Sequence, residues 1–220
     1  TLTDATVSGT LAVGDLTNVE SSINTNSTNI TSNDTDIASI NSSISNITSG
    51  VRLYDEGNGS FALGVQTLDS ESSTGYNMAL GYQVMKNTDG GQYNLGIGYQ
   101  TLLSNTTGSD NVAIGFTSMF NNTTGSRNTA LGNSTLRSNT TGVDNVAIGN
   151  NTLYSNTSGQ ENTAVGYTAL NSNTTGSQNV ALGHAALYNN TSGTTNVAVG
   201  DNALHYNTTG SFNMAMGRRS

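Results

Sequence analysis

"NVAIGFTSMFNNTTGSR" (Asn111–Arg127) and "NTALGNSTLRSNTTGVD" (Asn128–Asp144) are consecutive copies of one 17-residue phrase. Its opening Asn recurs at Asn77, Asn94, Asn111, Asn128, Asn145, Asn162, Asn179, Asn196 and Asn213, and the consensus is N-x-A-h-G-x-x-x-L-x-x-N-T-T/S-G-x-x, with h an aliphatic residue. Positions are numbered 1 to 17 from that Asn. Self-similarity at a fixed short period is the signature of a solenoid, in which each copy is a rung that buries its apolar residues only by stacking on its neighbours. The sequence therefore predicts a mostly β chain whose residues 60–220 form a β-solenoid, a roll or prism of about nine rungs.

Within a rung, "NVAIG" reads as a short strand. Positions 2 and 4 (Val112 and Ile114) point to one side, and positions 3 and 5 (Ala113 and Gly115) to the other. The expectation is that the bulky β-branched side fills the interior while the Ala/Gly side admits another backbone, although alternation alone permits the opposite. Position 9, always Leu or Met from Leu68 to Leu204, forms a second core stripe. The "NTTG" run is expected to be a corner, its Gly at positive φ and its Asn side chains stacked into ladders. Seven Asn-Thr-Thr/Ser triplets from Asn105 to Asn207 match a glycosylation acceptor pattern, but their strict period reads better as turn chemistry.

Upstream the period changes. Residues 1–15 read as a short β segment. From Leu16, core positions alternate three- and four-residue spacing through Val19, Ile23, Asn26, Ile30, Asn33, Ile37, Ile40, Ile44, Ile47, Val51 and Tyr54. That is a heptad coiled coil over 16–54, and Ile at both core positions favours three or four strands. A Ser-, Thr- and Asn-rich helix of this kind needs partner helices to persist in water. Residues 55–59 read as a neck joining it to the solenoid.

Composition excludes several function classes. The chain is 33% hydrophobic and 9% charged with net charge −8, and its six Lys and Arg are scattered, so no nucleic-acid partner is expected. No apolar run approaches the length of a membrane-spanning helix, so no membrane insertion is expected either. Without cysteine there are no disulfides or thiolate metal sites. His184 and His205 occupy different repeat positions, the carboxylates form no paired catalytic arrangement, and no nucleophile–base signature or phosphate-cradling loop appears. No metal, cofactor or enzyme activity is predicted. Position 6 carries an aromatic row, Tyr82, Tyr99 and Phe116, with Tyr167 further on, and position 10 carries Phe120, Tyr154 and Tyr188. Such rows serve either packing between chains or contact with a receptor or glycan.

A coiled coil followed by N-x-A-h-G rungs resembles the heads of trimeric autotransporter adhesins. It resembles more closely bacteriophage tail fibres with 17-residue repeats, as in "NTAVGYTALNSNTTGSQ" (Asn162–Gln178). The resemblance is firm over 60–220 and stylistic over 16–54. It implies a parallel homotrimer, a structural and adhesive fibre on a virion or otherwise extracellular, used for host-cell attachment through a glycan or protein receptor. It also implies a chloride or other anion on the trimer axis at Asn26 and Asn33. "GRRS" at the C-terminus resembles the site at which a self-cleaving intramolecular chaperone is removed, which would make Ser220 a processed end. The alternatives are a cellular trimeric surface adhesin, told apart by a membrane anchor elsewhere in the polypeptide, and a glycan depolymerase on a β-solenoid, which needs convergent carboxylates. An ice-binding solenoid ranks last, because the paired Thr residues are adjacent and at a turn.

Overall fold

The computed structural model describes residues 13–52, 59–68 and 75–220, and divides into two units, 1–47 and 48–220. The expected strands over 1–12, residues 55–58 of the neck and Tyr54 lie outside the described residues.

The first unit is helical. Helix α1 spans Val13–Gly50, so it begins three residues earlier than the heptads suggest, and residues 13–15 are helical rather than β. It stops at Gly50, as expected for the residue that most readily leaves helical φ/ψ. Ile23, Ile30, Ile37 and Ile40 are each more than half exposed. The hydroxyls of Thr25, Thr28, Thr31 and Thr35 donate to the carbonyls four residues back, which quiets the polar face without adding tertiary support.

The second unit is a β-solenoid. Val51, expected to continue the heptads, instead belongs to β1 (Val51–Arg52), which pairs antiparallel with β2 (Phe61–Leu63). From β2 onward each rung contributes one strand: β3 (Met78–Tyr82), β4 (Leu95–Tyr99), β5 (Val112–Phe116), β6 (Thr129–Leu131), β7 (Val146–Ile148), β8 (Thr163–Val165), β9 (Val180–Leu182), β10 (Val197–Val199) and β11 (Met214–Met216). All pair parallel in sequence order, with like position over like position: Ala113 over Gly96, Ala130 over Ala113. Outside the strands the rungs are still bonded one to the next. Position 9 donates its N–H to position 8 of the following rung (Leu102 to Ser118, 3.1 Å), and position 11 to position 10 (Ser104 to Phe120, 3.1 Å). The backbone therefore finds its partners about one period away, which meets the demand that buried N–H and C=O groups be paired.

The orientation of the strands reverses the expectation. Ala79, Ala113, Ala130, Ala147, Ala164, Ala181 and Ala198 are fully buried, whereas Val112 and Ile114 are only half-buried and Leu80, Ile148 and Val165 are exposed. The interior is filled by the Leu or Met of position 9 together with position 8, so only a methyl fits between that layer and the sheet. Gly96 marks the limit. There position 8 of the preceding rung is Val84 instead of Thr, Ser or Ala, and a Cβ on Gly96 would lie 2.6 Å from Val84 Cγ1 and 2.8 Å from Met85 Cε.

The glycine assignment is also corrected. Positive φ belongs to the strand-ending glycine of position 5, between 121° and 140° from Gly64 to Gly217. A Cβ on Gly183 would sit 2.6 Å from the Gly200 carbonyl oxygen, so backbone close approach enforces Gly there. The corner glycines of "NTTG" are absent from the left-handed region. Their requirement is steric: a Cβ on Gly125 would come within 2.6 Å of both Asn139 Nδ2 and the Gly142 carbonyl oxygen. Left-handed residues appear instead at positions 7, 9 and 17, including the core side chains Leu102 (φ 53°) and Met119 (φ 50°). That conformation costs an L-residue roughly 1–2 kcal/mol, so the ladders that hold it must more than offset the strain.

Two asparagine ladders run along the solenoid: the one expected at the "NTTG" corner, position 12, and a second at position 1. At position 1, Asn94 Oδ1 accepts from the backbone N–H and the carboxamide of Asn111, both at 3.0 Å. Asn111 Nδ2 also donates to the Gly125 carbonyl at 2.9 Å, tying the start of the rung to its end. At position 12, Asn122 Nδ2 donates to Asn105 Oδ1 (2.8 Å) and to that same Gly125 carbonyl (2.9 Å). Both ladders thus clamp one carbonyl per rung. The Asn residues of the acceptor triplets from Asn105 to Asn190 are fully buried with their carboxamides engaged, so they are turn and ladder residues and not glycan acceptors.

Candidate functional site

With the small residues facing inward, the side chains available to a partner stand in straight columns on the outside of the solenoid, each layer one rung apart.

Positions 2 and 4 make the broadest of these surfaces. Position 2 runs through Phe61, Met78, Leu95, Val112, Thr129, Val146, Thr163, Val180, Val197 and Met214. Position 4, from Leu63 to Met216, is aliphatic or Met throughout. No charged residue occurs in either column over ten rungs. The residues are half-buried to exposed, with Leu131, Ile148, Val165 and Leu182 at 37–39%. Monomeric proteins seldom present so long an apolar face to water.

Position 6 borders that face. Tyr82, Tyr99 and Phe116 are brought together as expected, with ring centroids 5.1 and 4.9 Å apart and planes within 12°. Tyr167 lies three rungs beyond Phe116 and stacks on His184 at 5.6 Å. The column then becomes ionic. His184 Nδ1 is 3.0 Å from Asp201 Oδ1, and Arg218 Nε donates to Asp201 Oδ2 at 3.1 Å. Hydrogen bonding to His184, with a further bond from Arg218, holds the Asp201 carboxyl below the usual carboxylate range.

Position 10 holds more than the three rings that the sequence marks, and position 17 is an ordered column that it does not mark. At position 10 the Arg137 guanidinium lies between Phe120 (5.0 Å) and Tyr154 (5.8 Å), and Tyr188 stacks on His205 at 5.2 Å. At position 17, Tyr76 stacks on Tyr93, and Arg127 makes a bidentate pair with Asp144 at 2.7 and 2.8 Å. That pair lowers the Asp144 pKa and raises that of Arg127. Columns are filled by groups that complement the layer next to them, and the signal for this lay in reading every seventeenth residue at all positions.

The remaining candidates fall elsewhere. Asn26 and Asn33 are exposed on α1. Ser220 is exposed, its hydroxyl donating to the Gly217 carbonyl at 3.0 Å while its own carbonyl accepts from the Leu204 N–H at 2.9 Å. Among the described residues no group of three or more His, Cys, Asp or Glu is placed to hold a metal, and no helix is long and apolar enough to cross a membrane. Among the same residues one buried hydroxyl, Thr88 Oγ1, has no hydrogen-bond partner. It stands where position 12 of the later rungs has the ladder Asn. No family model matches the chain, and no curated protein or solved structure matches it either.

Proposed function

We propose that the chain is a structural and adhesive fibre protein that works as a parallel homotrimer, part of a phage tail fibre that attaches a virion to its host. The observation that supports this reading is the charge-free apolar face of positions 2 and 4, continuous over ten rungs and half-buried to exposed among the described residues. At about 25 cal/mol per Å² of apolar area, covering such a face supplies a strong drive to associate. An in-register partner covers it most completely, because column then meets column. The exposed Ile stripe of α1 calls for the same remedy by coiled-coil pairing. In that assembly Asn26 and Asn33 face the axis, where their carboxamides can hold chloride or another anion. The fibre carries no catalysis: it presents repeated surfaces at a distance, so weak contacts with a host glycan or protein receptor add through avidity.

Light scattering tests the assembly. A mass three times that of the 22.6 kDa chain is expected, in a species that resists detergent before boiling. A monomer with an intact β signal would overturn the fibre reading.

A further inference from the structure

The position 6 column has a gap, and its walls are two exposed ring faces, those of Phe116 and Tyr167. Tyr99 has a ring against each face, Tyr82 at 5.1 Å and Phe116 at 4.9 Å, so it cannot serve as a platform. Phe116 is stacked on the Tyr99 side only and is 51% exposed. Three rungs on, Tyr167 is stacked on the His184 side only and is 54% exposed. The two intervening layers are Asn133 and Asn150, both exposed and both too short to continue the stack. At ~4.8 Å per rung the two free ring faces look at each other across about 14 Å, with two layers that carry no ring between them. Position 10 shows what the fold does when a gap is to be closed, since there Arg137 plugs the layer between Phe120 and Tyr154.

We infer that this gap is a saccharide site, taking an uncharged oligosaccharide with one hexopyranose ring against Phe116 and another against Tyr167, its hydroxyls over the carboxamides of Asn133 and Asn150. Aromatic walls with a few placed polar groups are the usual make-up of a ligand cleft. The apolar C–H face of a pyranose matches the ring faces, while carboxamides both donate and accept and so suit hydroxyls. Asn133 Oδ1 already accepts from Ser134 Oγ at 2.8 Å, which fixes one carboxamide and leaves its N–H groups to donate. The site stays open in an assembled fibre because His184, Asp201 and Arg218 occupy the same column, and burying that column against a partner would desolvate charges. The inference rests on the attachment reading, and it narrows the contact residues from the whole aromatic row to the two wall rings and two Asn.

The test is saturation-transfer NMR on the full chain with maltotriose, cellotriose, mannotriose and tri-N-acetylglucosamine as probes, run on the wild type, Asn150→Tyr, Tyr167→Ala and Phe116→Ala. Asn150→Tyr extends the ring column, so it keeps or raises the unfolding midpoint while filling the gap. Transfer to at least one trisaccharide is expected in the wild type, with affinity reduced about tenfold by either wall deletion and by the filled gap. Transfer to none of the four, or transfer that Asn150→Tyr and both wall deletions leave unchanged, overturns the site. Light scattering on the same samples keeps the two readings apart: a trimer without sugar binding sinks the site alone, and a monomer that binds sugar sinks the fibre alone.

Discussion

Along α1 the apolar residues Ile23, Ile30, Ile37 and Ile40 follow a strict heptad pattern and remain more than half exposed. Along the solenoid Leu102, Met119, Leu136 and Leu153 recur once per rung and are fully buried. Both stretches are periodic and both are built from Ser, Thr, Asn and aliphatic residues. The difference is where each period returns. A rung comes back onto its own predecessor, so the next copy in the chain is the partner that buries it. A heptad stripe runs straight on, and only another helix can cover it. The solenoid interior is buried by the chain itself, whereas the helix stripe and the outer apolar face are left half-buried to exposed.

The self-closure of the solenoid can be broken most severely at the ladder. Asn128→Ala removes the carboxamide that donates to Asn111 Oδ1 and the Gly142 carbonyl and accepts from Asn145. It leaves buried donors and acceptors unpaired, and a loss of about 3–5 kcal/mol in urea unfolding is expected. The matching change in α1, Asn26→Ala, should leave that transition where it was. A smaller break tests the interior. Gly96→Ala overpacks against Val84 and Met85 and should cost about 1–3 kcal/mol, most of it recovered in the double variant Val84→Ala/Gly96→Ala. Additive costs would mean that the two sites do not share one space.

The comparison can also be sharpened by improvement. Thr88→Asn gives the first described member of the position 12 column a carboxamide within the spacing that Asn105 and Asn122 already use, and it removes an unpartnered hydroxyl. A gain of about 1 kcal/mol is expected, seen as a higher unfolding midpoint. The smallest effect belongs to the surface ion pairs. The Asp144 carboxyl titrates below its ordinary value of 3.8 because Arg127 hydrogen-bonds to it. A depressed carboxylate contributes stability that is present above its ordinary value and lost as pH falls through the folded-state value. Asp144→Asn should therefore flatten stability slightly between neutral and acid pH, and high salt should mask the effect, because the pair is exposed.

The sequence made the rung, its length, the Leu/Met stripe and the Asn ladders legible, because each is a repeated residue type and repetition needs no coordinates. It could not choose which side of "NVAIG" faces inward. Strand alternation offers two faces, and the choice depends on how much space the position 9 side chain leaves, which is a distance. The two glycines of a rung were likewise visible but not their reasons: Gly115 is held at φ 140° and Gly125 is hemmed in by carboxamides. Left-handed Leu102 and Met119 run against intrinsic preference, and the reason lies in the inter-rung bonds that surround them. For the candidate site, the rings Phe116 and Tyr167 could be picked out from the repeat, but the value of Asn133 and Asn150 lay in what they fail to fill.

Register by whole periods also makes this chain a ruler graduated in complete repeats. Removing one residue would slide every later side chain out of its column, while removing a full copy would join like to like. Recombination between neighbouring copies can therefore lengthen or shorten the solenoid in steps of one rung, about 4.8 Å each. Most excisions would be silent in the interior. Loss of 145–161 would not be silent outside, because it would delete Asn150 and bring Phe116 and Tyr167 one layer closer. The same event that shortens the solenoid would narrow the gap between the two rings, so the length of the solenoid and the spacing of its outer side chains change together.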